Sequence, residues 1–387
     1  MTNEEQLLIA ALAQAVAGKP LQLPEQIDWA LFVNQTLMHS VTALVYDGLQ
    51  RGDALSAVPE KYQTVLAQKY YTAIYREAQL EHTKNQLSEK MLAAKIPHIF
   101  LKGICLKNDY PVPSLRTMCD IDALVHAEDF EALDTVAREL GAESEHGDGN
   151  HRNYSFPNGV NLEFHPNLVH HDSPVCAGIN PGWQYAKEDP TTGVWEMTEE
   201  GFYLNTLCHL ADHFASGGVG VRFVLDVWVC RNLRKAQPDR AFVEAELKRL
   251  GLLDFAVNIE NLADSWFGNG EMTPVLEELA EYILTSRSHG HSERAMLNAV
   301  AISGSQSAAI MKKTFRSRAE MEDRFPWVKG KPWLLPVAWC VRAFKAVTKR
   351  GHLVTKWIKG TGNIEKDEIR RQREMLKRFG ICPPKKR

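Results

Sequence analysis

Apolar side chains recur at helical spacing through most of the first ninety-five residues. Three helices are predicted there, over residues 4–17, 29–49 and 59–94, because apolar positions return every three or four residues in each of them. Asp28 directly precedes the second helix and can cap its N-terminus. Residues 1–95 are therefore predicted to form an N-terminal helical region.

After residue 95 the pattern becomes that of β-strands separated by turns and helices. An apolar run over residues 97–101 is followed by a glycine turn at Gly103 and by a second apolar run that contains Asp120 and Asp122. Alternate residues of a strand point to the same face. The two carboxylates are therefore expected to lie side by side.

A third acidic residue continues this pattern. Glu163 lies between two apolar residues with the alternation of a strand, and the turn Pro157-Asn158-Gly159 predicts that this strand forms a hairpin with the residues before it. If it pairs beside the strand of Asp120 and Asp122, three carboxylates meet and repel one another unless a cation lies between them. Hard oxygen ligands suit Mg²⁺, and three carboxylates can hold two divalent ions for an in-line phosphoryl displacement.

This order of glycine turn, Asp-x-Asp strand and single-acid strand resembles the DNA polymerase beta-like nucleotidyltransferase superfamily. More narrowly, the chain is similar over about residues 30–345 to a group of uncharacterised bacterial nucleotidyltransferases often encoded near polysaccharide-synthesis genes. The resemblance implies an NTP substrate, Mg²⁺ or Mn²⁺ as cofactor, and Asp120, Asp122 and Glu163 as catalytic and metal-binding residues. The residues that carry the narrower resemblance are Leu101, Lys102, Gly103, Tyr110, Arg116, Asp120, Ile121, Asp122, Leu162, Glu163 and Phe164.

The glycine turn departs from the superfamily pattern. The superfamily's glycine is usually followed by a serine that binds triphosphate oxygens, whereas Ile104 follows Gly103 here. Lys102 is the expected substitute, because an ammonium beside a glycine can hold phosphate as a point charge. Arg116 can add a bidentate phosphate contact. Lys102, Gly103 and Arg116 are thus the candidate nucleotide-binding residues, although a lysine at a strand end that reaches water explains Lys102 equally well.

A stretch rich in Pro, Gly, Asp and Thr follows the third strand. It predicts a connecting loop over residues 171–200, so that the nucleotidyltransferase core covers residues 96–170. The histidines His165, His170 and His171 fit no usual zinc spacing, and they are interpreted as polar loop residues.

Helical spacing returns over residues 201–330 and predicts a helical domain. Its first helix carries His209 and His213 one turn apart, and the next helix carries Arg222 and Asp226 one turn apart. Two interpretations of these four residues stay open. They form a cluster of hydrogen bonds and ion pairs between helices, or they support the site by helping to hold the nucleotide or its acceptor.

The last segment, residues 331–387, is strongly basic. Its sixteen Lys or Arg and four Asp or Glu give a net charge of +12, against −15 for the other 330 residues. An amphipathic basic segment indicates an anionic partner, which can be lipid headgroups, nucleic acid or the protein's own acidic body; a merely solvated helix is the alternative. Residues 351–387 contain few apolar side chains, so their deletion is predicted to leave the rest of the chain folded.

The composition, with 44% hydrophobic and 24% charged residues, is that of a globular protein, and 387 residues exceed the size of one core. The N-terminus has no signal-peptide pattern and no apolar run is long enough for a bilayer, which predicts a cytoplasmic location. Seven scattered cysteines without a Cys-x-x-Cys pair are predicted to be reduced, mostly buried thiols, which argues against disulfide-stabilised and zinc-ribbon classes.

The predicted fold class is therefore α+β, with a small mixed β-sheet core, flanking helices and an α-helical C-terminal domain. The predicted function is Mg²⁺-dependent transfer of a nucleoside monophosphate from an NTP to an unidentified hydroxyl or phosphate acceptor. The alternative is a non-catalytic member of the fold that binds a nucleotide or a partner, such as a membrane-surface accessory protein of glycan synthesis.

Overall fold

The computed structural model describes residues 1–145, 151–286, 292–362 and 364–381. The chain begins with four helices that match the predicted spacing, except that one predicted helix is broken in two. The backbone at Ser40 takes a positive φ of 57°, which ends the second helix and starts the third. Asp28 caps the second helix as predicted, by accepting hydrogen bonds from the backbone of Ala30 and Leu31. The helices are α1 (Asn3–Ala17), α2 (Trp29–Met38), α3 (Thr42–Arg51) and α4 (Glu60–Ala93).

A five-stranded mixed sheet follows these helices, and it confirms the α+β class. The strands lie in the order β1-β2-β5-β4-β3; β2 and β5 are parallel, and the other neighbours are antiparallel. The elements of this part are β1 (His98–Leu101), α5 (Gly103–Leu106), β2 (Asp120–Val125), α6 (Phe130–Glu139), β3 (Glu143–Glu145), β4 (Arg152–Ser155) and β5 (Asn161–His165).

The sheet contains the hairpin that the sequence predicts. Gly159 takes a φ of 78° in the turn between β4 and β5, and the other edge of β5 pairs in parallel with β2. Asp122 is the register partner of Glu163, and the side chains of Ile121 and Leu162 are buried on the core side. Two acidic positions far apart in the sequence are thus brought together by strand pairing.

Residues 171–200, which were expected to be a connecting loop, contain a short antiparallel hairpin of β6 (Ala186–Glu188) and β7 (Trp195–Met197). Cys176, Ile179 and Tyr185 are buried in the main hydrophobic core. The expectation differs from the structure because these apolar side chains are scattered among turn residues and show no regular period.

Helices make up the remainder of the described chain. Most of them pack around a continuous apolar core shared with α1 and α3, whereas Met321, Phe325, Val328 and Ala338 form a separate small cluster. These helices are α7 (Glu199–Ala215), α8 (Val221–Asn232), α9 (Arg240–Leu250), α10 (Leu253–Phe267), α11 (Pro274–Leu284), α12 (Ser292–Ser303), α13 (Gln306–Thr314), α14 (Arg318–Arg324), α15 (Leu335–Gly362) and α16 (Lys366–Arg378).

The end of the basic segment is part of this core, and the expectation that residues 351–387 bury little is wrong. Leu376, Phe379 and Ile381 are at most 2% exposed, and the ring of Phe379 lies against the rings of Phe214 and Tyr282. A few apolar residues at the end of a highly charged helix are enough to attach that helix to the core, although its average composition is polar.

Within the described ranges, no helix combines the length and the apolar character needed to cross a membrane. The six described cysteines are free thiols, and three of them, Cys176, Cys208 and Cys230, are buried. Cys382 lies outside the described residues.

Candidate functional site

Two neighbouring strands bring a carboxylate–imidazole group together. Asp122 on β2 lies opposite Glu163 on β5, and His165 follows two residues later on the same face of β5. One possible ligand atom from each of these three side chains lies within 4.8 Å of those from the other two. Asp120, at the start of β2, lies outside this group. The structure therefore brings together two of the three predicted acids and adds a histidine.

Asp122 is the centre of the group. Its Oδ1 accepts a hydrogen bond from Nζ of Lys102 at 2.6 Å, and the same oxygen is 2.9 Å from Nε2 of His165. Burial acts to raise the pKa of Asp122, but the charges of Lys102 and His165 outweigh it and hold that pKa well below its usual range. Asp122 is therefore ionised throughout the physiological pH range.

Nearby positive charges compensate the other two acids only in part. Burial and the nearby charge of Asp122 raise the pKa of Asp120. Burial and Asp122 likewise raise the pKa of Glu163, whose carboxylate is 3.6 Å from Nε2 of His165. Lys102, Arg222 and Arg116 offset only part of the negative charge, and the raised pKa values of Asp120 and Glu163 indicate that the site favours additional positive charge.

Lys102 occupies the junction between β1 and α5 in an unusual backbone conformation. Its φ is 54° and its ψ is −128°, a combination that side-chain-bearing residues rarely adopt. Burial acts to lower the pKa of Lys102, but the charges of Asp122, Asp120 and Glu163 raise it above its ordinary value. The ammonium is thus a fixed positive charge among the acids, and the interpretation of Lys102 as a lysine that reaches water does not describe it.

The glycine turn accommodates Arg116. A Cβ atom at Gly103 would overlap Nη1 of Arg116, so the absence of a side chain there makes room for the guanidinium. The Nε and Nη2 groups of Arg116 donate to the two carboxylate oxygens of Asp226 at 3.2 and 2.7 Å, and the hydroxyl of Tyr110 donates to the same carboxylate at 2.6 Å. The side chains of Arg116 and Asp226 are 9% and 5% exposed. Asp226 therefore belongs to a buried ion-pair cluster that fixes Arg116 beside the turn.

Arg222 has a different environment from its helical neighbour Asp226. Its Nη1 donates to the carbonyl oxygen of Thr117 at 2.8 Å, and its buried Nε has no hydrogen-bond partner in the described part of the chain. Burial, and then the charge of Arg116, lower the pKa of Arg222, whereas its own charge acts to lower the pKa of Asp120. Arg222 is a cation near the acids with hydrogen-bonding capacity that these contacts leave unused.

Histidines surround the same space. The rings of His209 and His213 are 4.4 Å apart, and both lie about 5.5 Å from the ring of Phe223. Burial, followed by Lys102 and His213, holds the pKa of His209 well below its usual value. His209 is therefore neutral at physiological pH and can donate or accept a hydrogen bond.

Two further histidines continue this surface. The ring of His151 is 5.9 Å from that of His165 and 6.4 Å from that of His170. His171 points elsewhere, since its Nε2 is 3.0 Å from a carboxylate oxygen of Asp323. The sequence interpretation of these histidines as polar loop residues missed His165, which ends β5 and faces the carboxylates.

Comparison with known proteins identifies the family of this chain. The family model described as an uncharacterised nucleotidyltransferase matches residues 25–268, which is more than half of the chain and includes every candidate site residue. No curated protein and no solved structure matches the chain. The matched region contains the sheet, the carboxylate–imidazole group and helices α7 and α8, and the chain belongs to this family of uncharacterised nucleotidyltransferases.

Proposed function

We propose that this protein is a divalent-metal-dependent nucleotidyltransferase. In this proposal it moves a nucleoside monophosphate from an NTP to a hydroxyl or phosphate acceptor and releases pyrophosphate. The observation that carries the proposal is the meeting of Asp122, Glu163 and His165 within 4.8 Å, in a chain that belongs to a nucleotidyltransferase family. Mg²⁺ and Mn²⁺ are the proposed cofactors.

The residues present fit such an ion. Carboxylate oxygens are the ligands that Mg²⁺ and Mn²⁺ prefer, and Mn²⁺ also accepts an imidazole nitrogen. Asp122, Glu163 and His165 would hold the ion, and Asp120 would add a third carboxylate from the same face of β2. A bound ion would neutralise phosphate charge and orient the reacting oxygens.

Three cations of the chain would hold the triphosphate. Arg116 is positioned at the glycine turn by Asp226, and Arg222 has an Nε without a hydrogen-bond partner among the described residues. Lys102 already contacts Asp122, so it would share its charge between that carboxylate and a phosphate. Fixed guanidinium and ammonium groups of this kind stabilise charge on a transferring phosphoryl group without the need to reorganise.

Glu163 is the proposed proton acceptor for the incoming hydroxyl. Its pKa is raised by burial and by Asp122, which brings its basicity closer to that required of a general base near neutral pH. Its side chain is 36% exposed, whereas that of Asp122 is 8% exposed, so an acceptor can reach Glu163 more easily.

A non-catalytic nucleotide-binding protein is the second candidate, and one contact favours it. The ammonium of Lys102, 2.6 Å from Asp122, supplies a positive charge where a divalent ion would otherwise be required. A protein that only binds nucleotide could keep this arrangement, and the absence of a serine after Gly103 is consistent with it.

Pyrophosphate release separates the two candidates. The purified chain is incubated with each of the four NTPs, Mg²⁺ or Mn²⁺, and a set of hydroxyl and phosphate acceptors. We expect Glu163→Gln to lower pyrophosphate release by about a hundredfold or more while nucleotide binding persists, because a general base acts mainly in the transition state. Glu143→Gln, on the exposed edge strand β3 of the same sheet, is the matched control. Nucleotide binding without pyrophosphate release by the wild-type protein would instead favour the non-catalytic candidate.

A further inference from the structure

The outer face of α15 carries a stripe of exposed apolar side chains. Trp333 lies just before the helix, and Val337, Cys340, Phe344 and Val347 follow at spacings of four and three residues, so all five share one side. Trp333 and Phe344 are each 70% exposed, and Val347 and Val337 are 61% and 52% exposed. We call these five residues the α15 stripe.

The α15 stripe is separate from the apolar contacts that hold the helix to the protein. The opposite side of α15 packs through Ala338 and the partly buried Leu335 and Trp339 onto a small core formed by α14 and the residues after it. The indole nitrogen of Trp339 also donates to the carbonyl oxygen of Arg316 at 3.1 Å. The helix is therefore already attached to the protein, and the stripe is an additional apolar surface.

All of the Asp, Glu, Lys and Arg positions around the stripe are basic. Residues 325–362 contain eight Lys or Arg and no Asp or Glu. The exposed members with described side chains are Lys329, Lys331, Lys345, Lys356 and Lys359. An apolar stripe with an aromatic side chain at its start, flanked by lysines, has the character of a helix that lies in a membrane interface.

We propose that the α15 stripe binds the surface of a bilayer that contains anionic lipids. Trp333, Phe344 and the two valines would enter the boundary between headgroups and acyl chains, while the lysines would contact lipid phosphates. This interaction surface is independent of the nucleotidyl transfer proposed above, because no residue of the carboxylate–imidazole group takes part in it.

Charge and shape favour a bilayer over two other occupants. A second copy of the chain would pair the same basic segment with itself, and no acidic residue in 325–362 could offset the repulsion. Nucleic acid would satisfy the lysines and could stack on Trp333, but it would leave the valines of the stripe in water. Only a bilayer surface takes up both the apolar stripe and the basic flanks.

Co-sedimentation of the full-length chain with vesicles tests the proposal. The vesicles are phosphatidylcholine alone and phosphatidylcholine with phosphatidylglycerol, at low and high salt. We expect binding to the anionic vesicles that weakens as salt is raised. Trp333→Ala/Phe344→Ala should lower the affinity by about tenfold or more, since two large side chains lose their burial in the interface.

The matched control is Tyr71→Ala/Tyr75→Ala on α4, because these aromatic side chains are 65% and 67% exposed. This control should bind vesicles as the wild type does, and both pairs should keep the wild-type Tm. Lys331→Glu/Lys345→Glu provides a second variant pair, which should lose binding to anionic vesicles through charge alone.

Three results would overturn the proposal. The first is no binding of the wild type to anionic vesicles at low salt. The second is a dimer in lipid-free sedimentation that Trp333→Ala/Phe344→Ala abolishes, since a second copy would then be the occupant. The third is binding to single-stranded DNA in preference to vesicles, with no effect of Trp333→Ala/Phe344→Ala on vesicle binding.

Discussion

Replacement of Asp226 by asparagine is expected to destabilise the protein strongly, because it breaks a buried ion pair without changing its shape. The carboxylate of Asp226 accepts hydrogen bonds from Nε and Nη2 of Arg116 and from the hydroxyl of Tyr110. An amide keeps one acceptor oxygen and points an NH₂ group at the guanidinium. Arg116, whose side chain is 9% exposed, would then carry a buried charge without a counter-ion.

The expected loss follows from this burial. Removal of one partner from a buried ion pair costs about 3–5 kcal/mol. A chain of 387 residues has an unfolding entropy of about 0.8 kcal/mol per kelvin, from about 2.1 cal/mol/K per residue. The Tm of Asp226→Asn should therefore fall by about 4–6 °C relative to the wild type.

The Tm from calorimetric unfolding is compared for four proteins: the wild type, Asp226→Asn, Asp264→Asn and Arg116→Met/Asp226→Leu. Asp264→Asn is the control, because Asp264 forms an ion pair with Arg231 at 2.9 Å whose side chains are 35% and 30% exposed. Such partly exposed pairs contribute at most about 1 kcal/mol, so the control should lose only about 1 °C. Arg116→Met/Asp226→Leu removes both charges and should recover much of the stability lost in Asp226→Asn.

A Tm for Asp226→Asn no lower than that of Asp264→Asn would refute this reasoning. A double variant whose Tm is as low as that of Asp226→Asn would also refute it, because the double variant removes the charge of Arg116 that Asp226→Asn leaves unpaired.

Three further predictions concern other parts of the structure. His39 is 1% exposed, and burial lowers its pKa to about 4, whereas the same side chain in the unfolded protein has a pKa near 6.5. Acidification from pH 7 to pH 4 should therefore cost the wild type about 3 kcal/mol of stability that His39→Gln does not lose. Unfolding measured at both pH values tests this difference. Gly103→Ala should cost about 1–3 kcal/mol in urea unfolding, because its Cβ would overlap a guanidinium held in place by Asp226. Phe379→Ala should cost about 3–5 kcal/mol, since this fully buried ring belongs to the main core; an unchanged Tm would mean that α16 is not attached through it.

The strands and the positions of their acids could be predicted because they depend on local alternation. Asp120 and Asp122 share a face through the period of one strand, and the turn at Gly159 marks the strand of Glu163. The place of Glu163 beside Asp122 depends on the parallel pairing of β5 with β2, which local alternation does not determine. The same rule, extended by two residues, would have identified His165, because residues 163 and 165 of a strand also share a face. The sequence pattern assigned His165 to a loop because Pro166 directly follows it.

The contacts of the cations could not be predicted, because they join parts of the chain that are remote in sequence. Arg116 and Asp226 are separated by 110 residues, and Lys102 and Asp122 by 20. The spacing of Arg222 and Asp226 indicated one helical face, but tertiary packing gives them different partners. The burial of Phe379 likewise depends on a distant core and leaves no periodic signal.

Nucleotide binding at the carboxylate–imidazole group is the central claim, and a calorimetric titration with each NTP tests it most directly. The titrations compare wild type and Asp122→Asn, with and without Mg²⁺, after equal Tm values or circular dichroism spectra have shown that both are folded. We expect at least one NTP to bind the wild type only when Mg²⁺ is present, and Asp122→Asn to lose this binding. Absence of binding by the folded wild type with any NTP and Mg²⁺ or Mn²⁺, or equal binding by Asp122→Asn, would contradict the account.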